Sequence, residues 1–325
     1  MKKDTSIQII RVFSMTMIVI CHLLSIMQNY YMIALSQFFS IGVYIFLFIS
    51  GFLYGKKEIK NYKKWYIGRV KKILIPVWLF SFSVLLYCIF FNKNKFDISY
   101  IFIYLFNIQG FFKGFIGLGH LWFLTPLMIC YLLLFVIKKG KNNKTPLLFV
   151  IFLLILSIVT CFINKTFSLY CFYIITFYLG YIYRGFYKKN ISKRNFCVSV
   201  FTIVLFSIIR LLTNSFFDNS VIYNSFCVPL TSIFISIGMF SLICNITNKL
   251  SNNKYIDFFD ELSLYIYITH YSFFIGPFLT LNQQNIIPNF LLSLILSMIS
   301  AILLKKIHEM TMKFFIKEDK HYENN

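Results

Sequence analysis

Residues 6–24 read Ser6-Ile-Gln-Ile-Ile-Arg11-Val-Phe-Ser-Met-Thr-Met-Ile-Val-Ile-Cys-His22-Leu-Leu, an apolar run that contains an arginine and a histidine. The length of this run predicts a helix that spans a membrane. Ionisable side chains inside such helices are rare and by default indicate a functional site. Arg11 and His22 are eleven positions apart. Because this is close to three helical turns, they should share one helix face, roughly 16 Å apart along its axis.

The composition predicts a membrane protein. The 325-residue chain is 58% hydrophobic and has a mean hydropathy of +0.73, and its charged residues amount to 13%, against about 25% in a soluble domain. The net charge of +21 does not predict a nucleic-acid partner, because the basic residues lie between apolar runs and not on a soluble surface. Eight isolated cysteines without a CxxC pair predict neither a disulfide framework nor a metal site.

Apolar runs of about 20 residues recur along the chain. They predict an all-α fold, a polytopic membrane helix bundle of about ten transmembrane helices. The predicted spans are 6–27, 32–54, 71–91, 118–137, 146–163, 167–186, 196–213, 226–246, 262–281 and 287–304.

The basic residues predict the orientation of these spans. With a cytoplasmic N-terminus, most lysines and arginines fall in inner segments, above all in 55–72. The outer segments contain Lys93, Lys95, Lys113 and Lys165. Both termini are therefore expected in the cytoplasm.

The segments outside the predicted spans include an outer segment, a basic inner loop and a polar tail. The longest outer segment, 92–117, predicts an interfacial helix or a cap over an outward-facing cavity. Residues 1–316 form one predicted membrane domain, and the polar tail 317–325 is expected to be disordered. The basic loop 55–72 is explained equally by anionic membrane lipids and by a phosphate-bearing ligand.

Two polar residues of the first span have competing explanations. A neutral His22 near the outer end could take a proton from a hydroxyl group, or it could hydrogen-bond between helices as polar residues in membrane bundles do. Arg11 stays charged and offers five donors. It could bind a substrate, or its long stem could carry the charge to the inner interface.

Further candidates follow in later spans. His120 lies at the outer mouth of the fourth span and could approach His22 in depth, although the neighbouring Trp122 is also typical of an aromatic belt. Ser263, Tyr267 and His270 are spaced i, i+4, i+7 on one helix face, where a hydrogen-bonding seam explains them as well as a site does. Acidic residues reach only the inner edge of the ninth span, which argues against a carboxylate proton relay.

Several stretches together resemble the acyltransferase-3 family of integral membrane acyltransferases, in the family's order from about residue 5 to 305. Each motif alone is weakly specific, and the ordered set is strong. The matching motifs are Arg11 with His22, Gly42-Val-Tyr-Ile-Phe-Leu-Phe-Ile-Ser50-Gly51-Phe-Leu, Arg69-Val-Lys-Lys72-Ile-Leu-Ile-Pro76, His120-Leu-Trp122-Phe-Leu, Phe177-Tyr-Leu-Gly180 and Ser263-Leu-Tyr-Ile-Tyr267-Ile-Thr-His270.

The resemblance implies an O-acyltransferase of the plasma membrane. Members of the family move an acyl group, most often acetyl, from cytoplasmic acyl-coenzyme A to a hydroxyl of a glycan or another envelope molecule. Acyl-CoA is then a co-substrate and no bound cofactor is expected. The expected acceptor is a glycan or lipid-linked sugar, and acetyl and succinyl groups are both compatible with the sequence.

The resemblance also implies residue roles. His22 and Arg11 are the expected catalytic residues, with His22 as the catalytic histidine and Arg11 as its donor-binding partner. Arg69 and Lys72 match a basic pair proposed to meet the coenzyme's phosphates. The expected site lining comprises Ser50, His120, Trp122, Ser263, Tyr267 and His270. The sequence departs from the family where Gln8 replaces a frequent acid three positions before Arg11, and where Lys72 replaces a frequent arginine.

Other functions remain compatible with the sequence. Some relatives are assigned as polysaccharide exporters or flippases, which would leave glycan trapped inside cells that lack the gene. An acyltransferase would instead leave the glycan outside without its ester. A glycan polymerase typically has a large outer loop, and segment 92–117 is modest.

Overall fold

The computed structural model describes residues 4–27, 29–91, 97–139, 144–187, 192–217, 220–251, 253–278 and 286–323, and the described chain is predominantly helical. A short 3₁₀ helix, Gly119–Phe123, precedes α6, and a π-helical turn, Tyr223–Cys227, precedes α10. The α-helices are α1 (Thr5–Ile26), α2 (Tyr30–Phe39), α3 (Ile41–Tyr54), α4 (Tyr62–Phe91), α5 (Ser99–Leu105), α6 (Leu124–Lys139), α7 (Thr145–Cys161), α8 (Lys165–Phe186), α9 (Lys193–Phe217), α10 (Val228–Thr247), α11 (Lys254–Phe274) and α12 (Ile286–Glu323).

The prediction of a polytopic helical membrane protein is confirmed. Within the described residues, eight helical segments are long and apolar enough to cross a membrane. The other two predicted spans are helical but differ from a full span. Helix α7 is apolar but only 17 residues long. Helix α11 carries four charged residues in its first eight positions, so its apolar part begins at Leu262.

Three boundaries differ from the sequence-based expectation. Helix α4 begins at Tyr62 and continues through Pro76, so much of the expected basic loop 55–72 is helical. The second predicted span consists of α2 and α3, which are separated at Ser40. Helix α12 continues to Glu323, beyond the end of the last predicted span at 304. Lysine and glutamate are good helix formers and allow this extension.

Some predicted features lie outside the described residues. They are Lys2, Lys3, Lys93, Lys95, Lys141, Lys188, Lys189, the end of the ninth predicted span at 279–281, and residues 324–325. The described part of the expected cap segment contains the short helix α5.

The chain divides into two compact units. The first comprises Met1–Cys21, Ile33–Lys60 and Pro126–Asp260, and the second comprises His22–Met32, Asn61–Thr125 and Glu261–Asn325. The first unit has a core formed by α1, α3 and α10. Its buried side chains include Ile10, Ile45, Phe48, Ile235 and Phe240.

Glycines allow a close helix contact in the first unit. A Cβ at Gly51 of α3 would stand 1.7 Å from the Phe177 carbonyl oxygen of α8, and one at Gly180 would stand 2.0 Å from the Phe48 carbonyl oxygen. Membrane helices often approach through such small residues, because attraction between apolar surfaces does not drive their association in lipid. The α3–α8 contact therefore requires glycine on both sides.

The interruption between α2 and α3 is held by polar groups of the first unit. The Gln37 carbonyl accepts hydrogen bonds from Ser40 Oγ at 2.6 Å and from Arg210 Nη2 at 3.1 Å. Arg210, only 7% exposed, also donates to Ser232 Oγ at 3.4 Å. Arg210 was not among the sequence-based candidates, and its cation stabilises the carbonyl end of α2.

The second unit contains α4, α5, most of α11, and α12. His308 of α12 links the three longer helices: its Nδ1 accepts from the Tyr265 hydroxyl at 2.8 Å, and its Nε2 donates to the Lys71 carbonyl at 3.1 Å. Helix α5 is connected to α4 by Trp78 Nε1, which donates to the Tyr104 carbonyl at 3.2 Å.

Replacing Gly180 by alanine should destabilise the protein by about 1–3 kcal/mol or more, because the new methyl group would overlap the Phe48 carbonyl. Gly185→Ala on the same helix is the matched control, since nothing lies within 4 Å of its added Cβ. The measurement is the thermal midpoint of the purified protein in one detergent. Equal midpoints for the two variants would contradict the α3–α8 contact.

Candidate functional site

Three histidines of the second unit come together. His22 lies near the end of α1, His120 in the 3₁₀ helix Gly119–Phe123, and His270 in the penultimate turn of α11. The ring centroids are 5.4 Å apart for His22 and His270, 4.9 Å for His120 and His270, and 6.2 Å for His22 and His120. The structure therefore places two of the predicted lining residues beside the predicted catalytic histidine.

The segment before His120 is held by its own polar side chains. Asn107, with φ of 55°, donates from Nδ2 to the Leu124 carbonyl, and its own carbonyl accepts from Thr125 Oγ1 at 2.8 Å. Gln109 donates to the Leu121 carbonyl at 3.0 Å. These bonds secure the 3₁₀ helix from both sides and so fix the position of His120.

A second set of contacts joins this segment to α11. Gly117 has φ of 84°, and its carbonyl accepts from Ser272 Oγ at 2.7 Å. A Cβ there would stand 2.6 Å from Pro277 Cδ. The hydroxyl of Tyr104 accepts the Phe115 N–H at 3.1 Å, and burial raises the pKa of this phenol, which keeps it protonated.

One backbone carbonyl determines the protonation of two rings. The Tyr267 carbonyl oxygen accepts from His120 Nε2 at 2.7 Å and from His270 Nδ1 at 2.9 Å. His270 Nδ1 also lies 3.0 Å from the Ile266 carbonyl oxygen. Because a carbonyl only accepts hydrogen bonds, the proton resides on Nε2 of His120 and on Nδ1 of His270.

The second ring nitrogen of His120 and of His270 carries no proton in these tautomers. His120 Nδ1 and His270 Nε2 are buried, and neither has a hydrogen-bond partner among the described residues. Unpaired buried polar atoms are few in native proteins and call for an explanation. Both atoms are lone-pair acceptors in the histidine cluster, defined here as His22, His120, His270, Tyr267 and Tyr271.

His22 is the open member of the histidine cluster. It is partly exposed, whereas His120 and His270 are buried. Its ring packs edge-on against Tyr271 at 4.7 Å and makes no hydrogen bond to the described residues. A neutral, accessible imidazole can act as a general base or as a nucleophile.

Tyr271 is a residue that the sequence analysis missed. It contacts the His22 ring and stacks on His120 with centroids 4.9 Å apart. The signal was present, because positions 267, 270, 271 and 274 follow the helical i, i+3, i+4, i+7 pattern. Extending the predicted stripe along the same face would have included it.

The other predicted lining residues are distributed differently. Tyr267 belongs to the cluster, and its hydroxyl donates to the His120 carbonyl. Ser263 is buried one turn before Tyr267 on α11, and Trp122 packs edge-on against Phe123. Ser50 is buried in α3 of the first unit.

Arg11 lies in the first unit and is paired with a carboxylate. Its Nη2 donates to Asp260 Oδ2 at 2.7 Å, with side-chain exposures of 29% and 5%. Gln8 Nε2 donates to Asp257 Oδ1 at 2.6 Å and approaches Asp260 Oδ2 at 3.4 Å. Helix α11 thus supplies the acid that the sequence lacks at position 8, and Arg11 Nε remains buried without a partner among the described residues.

The predicted donor-binding pair lies on α4 in the second unit. Arg69 and Lys72 are three positions apart, one helical turn. Lys72 is exposed, and Arg69 is partly buried with its guanidinium 6.0 Å from the Trp65 ring centroid. The intervening Lys71 carbonyl is held by His308.

A metal site was not expected from the sequence. Throughout the described ranges, no group of three or more His, Cys, Asp or Glu residues could hold a metal ion. The cysteines are free thiols.

Asp260→Asn should lower the free energy of unfolding by about 2–3 kcal/mol, because Arg11 would lose its charged partner in a largely buried position. Glu261→Gln is the matched control one residue away. Its carboxylate pairs with Lys305 at 46% side-chain exposure, so its loss should change stability by about 0–1 kcal/mol. Denaturant unfolding in detergent would compare them, and equal losses would contradict the structural role of the Arg11–Asp260 pair.

Comparisons with known proteins agree with the motifs. No curated protein and no solved structure gives a significant match. A family model described as an acyltransferase domain matches residues 4–306, nearly the whole chain. This range contains the Arg11–Asp260 pair, the basic pair on α4 and the histidine cluster. The protein therefore belongs to the acyltransferase-3 family and is a multi-pass membrane acyltransferase.

Proposed function

We propose that the protein transfers an acyl group, most simply acetyl, from cytoplasmic acyl-CoA to a hydroxyl group of an envelope or extracellular glycan. The observation that carries the proposal is the partly exposed His22 ring beside two buried histidines, in a chain of an acyltransferase family. A base that a hydroxyl group can reach is the central requirement of acyl transfer to oxygen.

In the proposed reaction, His22 takes the hydroxyl proton as the oxygen attacks the thioester carbonyl carbon. The carbon–sulfur bond breaks, and the sulfur leaves as a thiolate that receives the proton from His22. Charge and atoms balance, with an ester and free coenzyme A as products. A variant of this route has His22 carry the acyl group briefly before transfer.

The basic side chains supply donor binding in this proposal. Arg11, oriented by Asp260, neutralises negative charge on the donor. Arg69 and Lys72 meet the coenzyme's phosphates. Lysine provides a point charge there, without the two-pronged hydrogen bonding of arginine.

The proposed setting is the plasma membrane with both termini in the cytoplasm. The concentration of lysine and arginine in alternate segments supports this orientation. The donor would then arrive at the basic cytoplasmic face, and the glycan or lipid-linked sugar at the outer end of α1.

The first experiment compares envelope glycans from cells with and without the gene by mass spectrometry. We expect an alkali-labile acyl mass on the wild-type glycan, absent after deletion and not restored by His22→Ala, because general-base catalysis accounts for about 10²–10⁴-fold in rate. Membrane insertion of the variant is checked by immunoblotting. Full acylation by an inserted His22→Ala protein would exclude the mechanism, and glycan retained inside the deletion cells would favour the exporter.

The second experiment tests Lys72. In permeabilised membranes with labelled acetyl-CoA, Lys72→Gln should raise the apparent KM for the donor several-fold and leave the maximal rate nearly unchanged, since a binding charge is lost. Lys72→Arg should give an apparent KM for the donor equal to or below that of wild type, because arginine can donate two hydrogen bonds to one phosphate. Identical KM values for wild type, Lys72→Gln and Lys72→Arg would remove Lys72 from donor binding.

A further inference from the structure

We propose that His270 is the positioning residue of the histidine cluster: its bare Nε2 accepts a hydrogen bond from the His22 ring and thereby selects one tautomer of His22. The other nitrogen of His22 is then the one that takes the hydroxyl proton. This inference rests on the proposed function and names the group that orients its base.

The first support is that His270 is itself oriented. Its Nδ1 donates to the Ile266 and Tyr267 carbonyls at 3.0 and 2.9 Å, which leaves the ring one protonation state. The Nε2 lone pair is consequently permanent, buried and unused by the described residues. Leaving such an acceptor unsatisfied is unfavourable, so an incoming N–H group is favoured there.

The second support is the distance to His22. Two imidazole rings joined by an N–H···N bond of about 2.9–3.0 Å have centroids roughly 5 Å apart. The His22 and His270 centroids are 5.4 Å apart, so a small adjustment of the partly exposed His22 ring completes the bond. Catalytic hydrogen bonds are often long in the absence of substrate and shorten when it binds.

The third support is the absence, among the described residues, of a carboxylate that could orient His22. Within the described part of the chain, no carboxylate contacts the three histidine rings. His120 is less suited, because its ring lies farther from His22, at 6.2 Å. Instead, the His120 ring packs against His270 and stacks on Tyr271. It therefore supports the two rings that contact His22.

The role of His270 differs from that of a carboxylate in a catalytic triad. When His22 takes the hydroxyl proton it becomes an imidazolium, and its other N–H continues to donate to His270 Nε2. No proton needs to move to His270, whose Nδ1–H stays on the Tyr267 carbonyl. The same carbonyl accepts from His120, so one backbone oxygen fixes the tautomers of both buried histidines.

Two substitutions of His270 distinguish a role in orienting His22 from a role in packing. His270→Gln places an amide oxygen near the former Nε2 and keeps an acceptor towards His22. His270→Asn places its amide near the former Nδ1 and is too short to reach His22. Rates are measured in permeabilised membranes with labelled acetyl-CoA and the endogenous acceptor, normalised to folded protein. Tyr265→Phe, which removes a buried side-chain hydrogen bond of the same helix, serves as the control.

We expect His270→Asn to lower the maximal rate about 10- to 100-fold without raising the apparent KM for acetyl-CoA, and His270→Gln to stay within a few-fold of wild type. Tyr265→Phe should retain the wild-type rate per folded molecule. Equal rates for His270→Asn and His270→Gln, whether both high or both low, would overturn the proposal. An inactive wild type would instead refute the proposed function, so the two failures are distinguishable.

A spectroscopic measurement needs no active variant. The chain has five histidines, and ¹⁵N-histidine NMR of the protein in lipid, with His22 assigned by His22→Gln, reports each ring's tautomer. His22 should occupy a single tautomer in wild type and in His270→Gln, and a mixture in His270→Asn. A mixture in wild type, or a single tautomer in all three proteins, would overturn the proposal.

Discussion

A polar side chain inside an apolar helix has to find its partner within the protein, since lipid offers none. This constraint explains the main polar contacts of the chain. Arg11 is paired with Asp260, Arg210 bonds to a freed carbonyl at the end of α2, and His308 bonds to two other helices. Each contact joins helices that apolar packing alone would hold less specifically.

The candidate functional site contains polar atoms that this pairing leaves without a partner. In the histidine cluster, the Tyr267 carbonyl occupies one nitrogen of His120 and one of His270, and the opposite nitrogens remain bare. In the first unit, Asp260 occupies Nη2 of Arg11 but not Nε. In the proposed mechanism, the unused Nε2 of His270 is the acceptor for the His22 ring.

Stability and chemistry make different demands on α1 and α11. Their apolar faces pack, and α1 contributes Ile10 to a core with Ile45 and Phe240. The same two helices carry Arg11 with Asp260 in the first unit, and His22 with His270 in the second. The close α3–α8 contact at Gly51 and Gly180 uses no polar side chain, so the first unit gains tight packing without consuming functional groups.

The sequence by itself determined that the chain is a helical membrane protein, where most spans lie, and which polar residues lie inside them, because hydropathy and helical spacing are local properties. It also indicated the family through an ordered set of short motifs. Only the tertiary structure identified Asp260 as the partner of Arg11, 249 residues away, and Tyr267 as the carbonyl that sets the tautomer of His120, 147 residues away. It likewise decided the separation of α2 from α3 and the place of Tyr271 beside His22. These features depend on which helices become neighbours, and a local pattern contains no record of that choice.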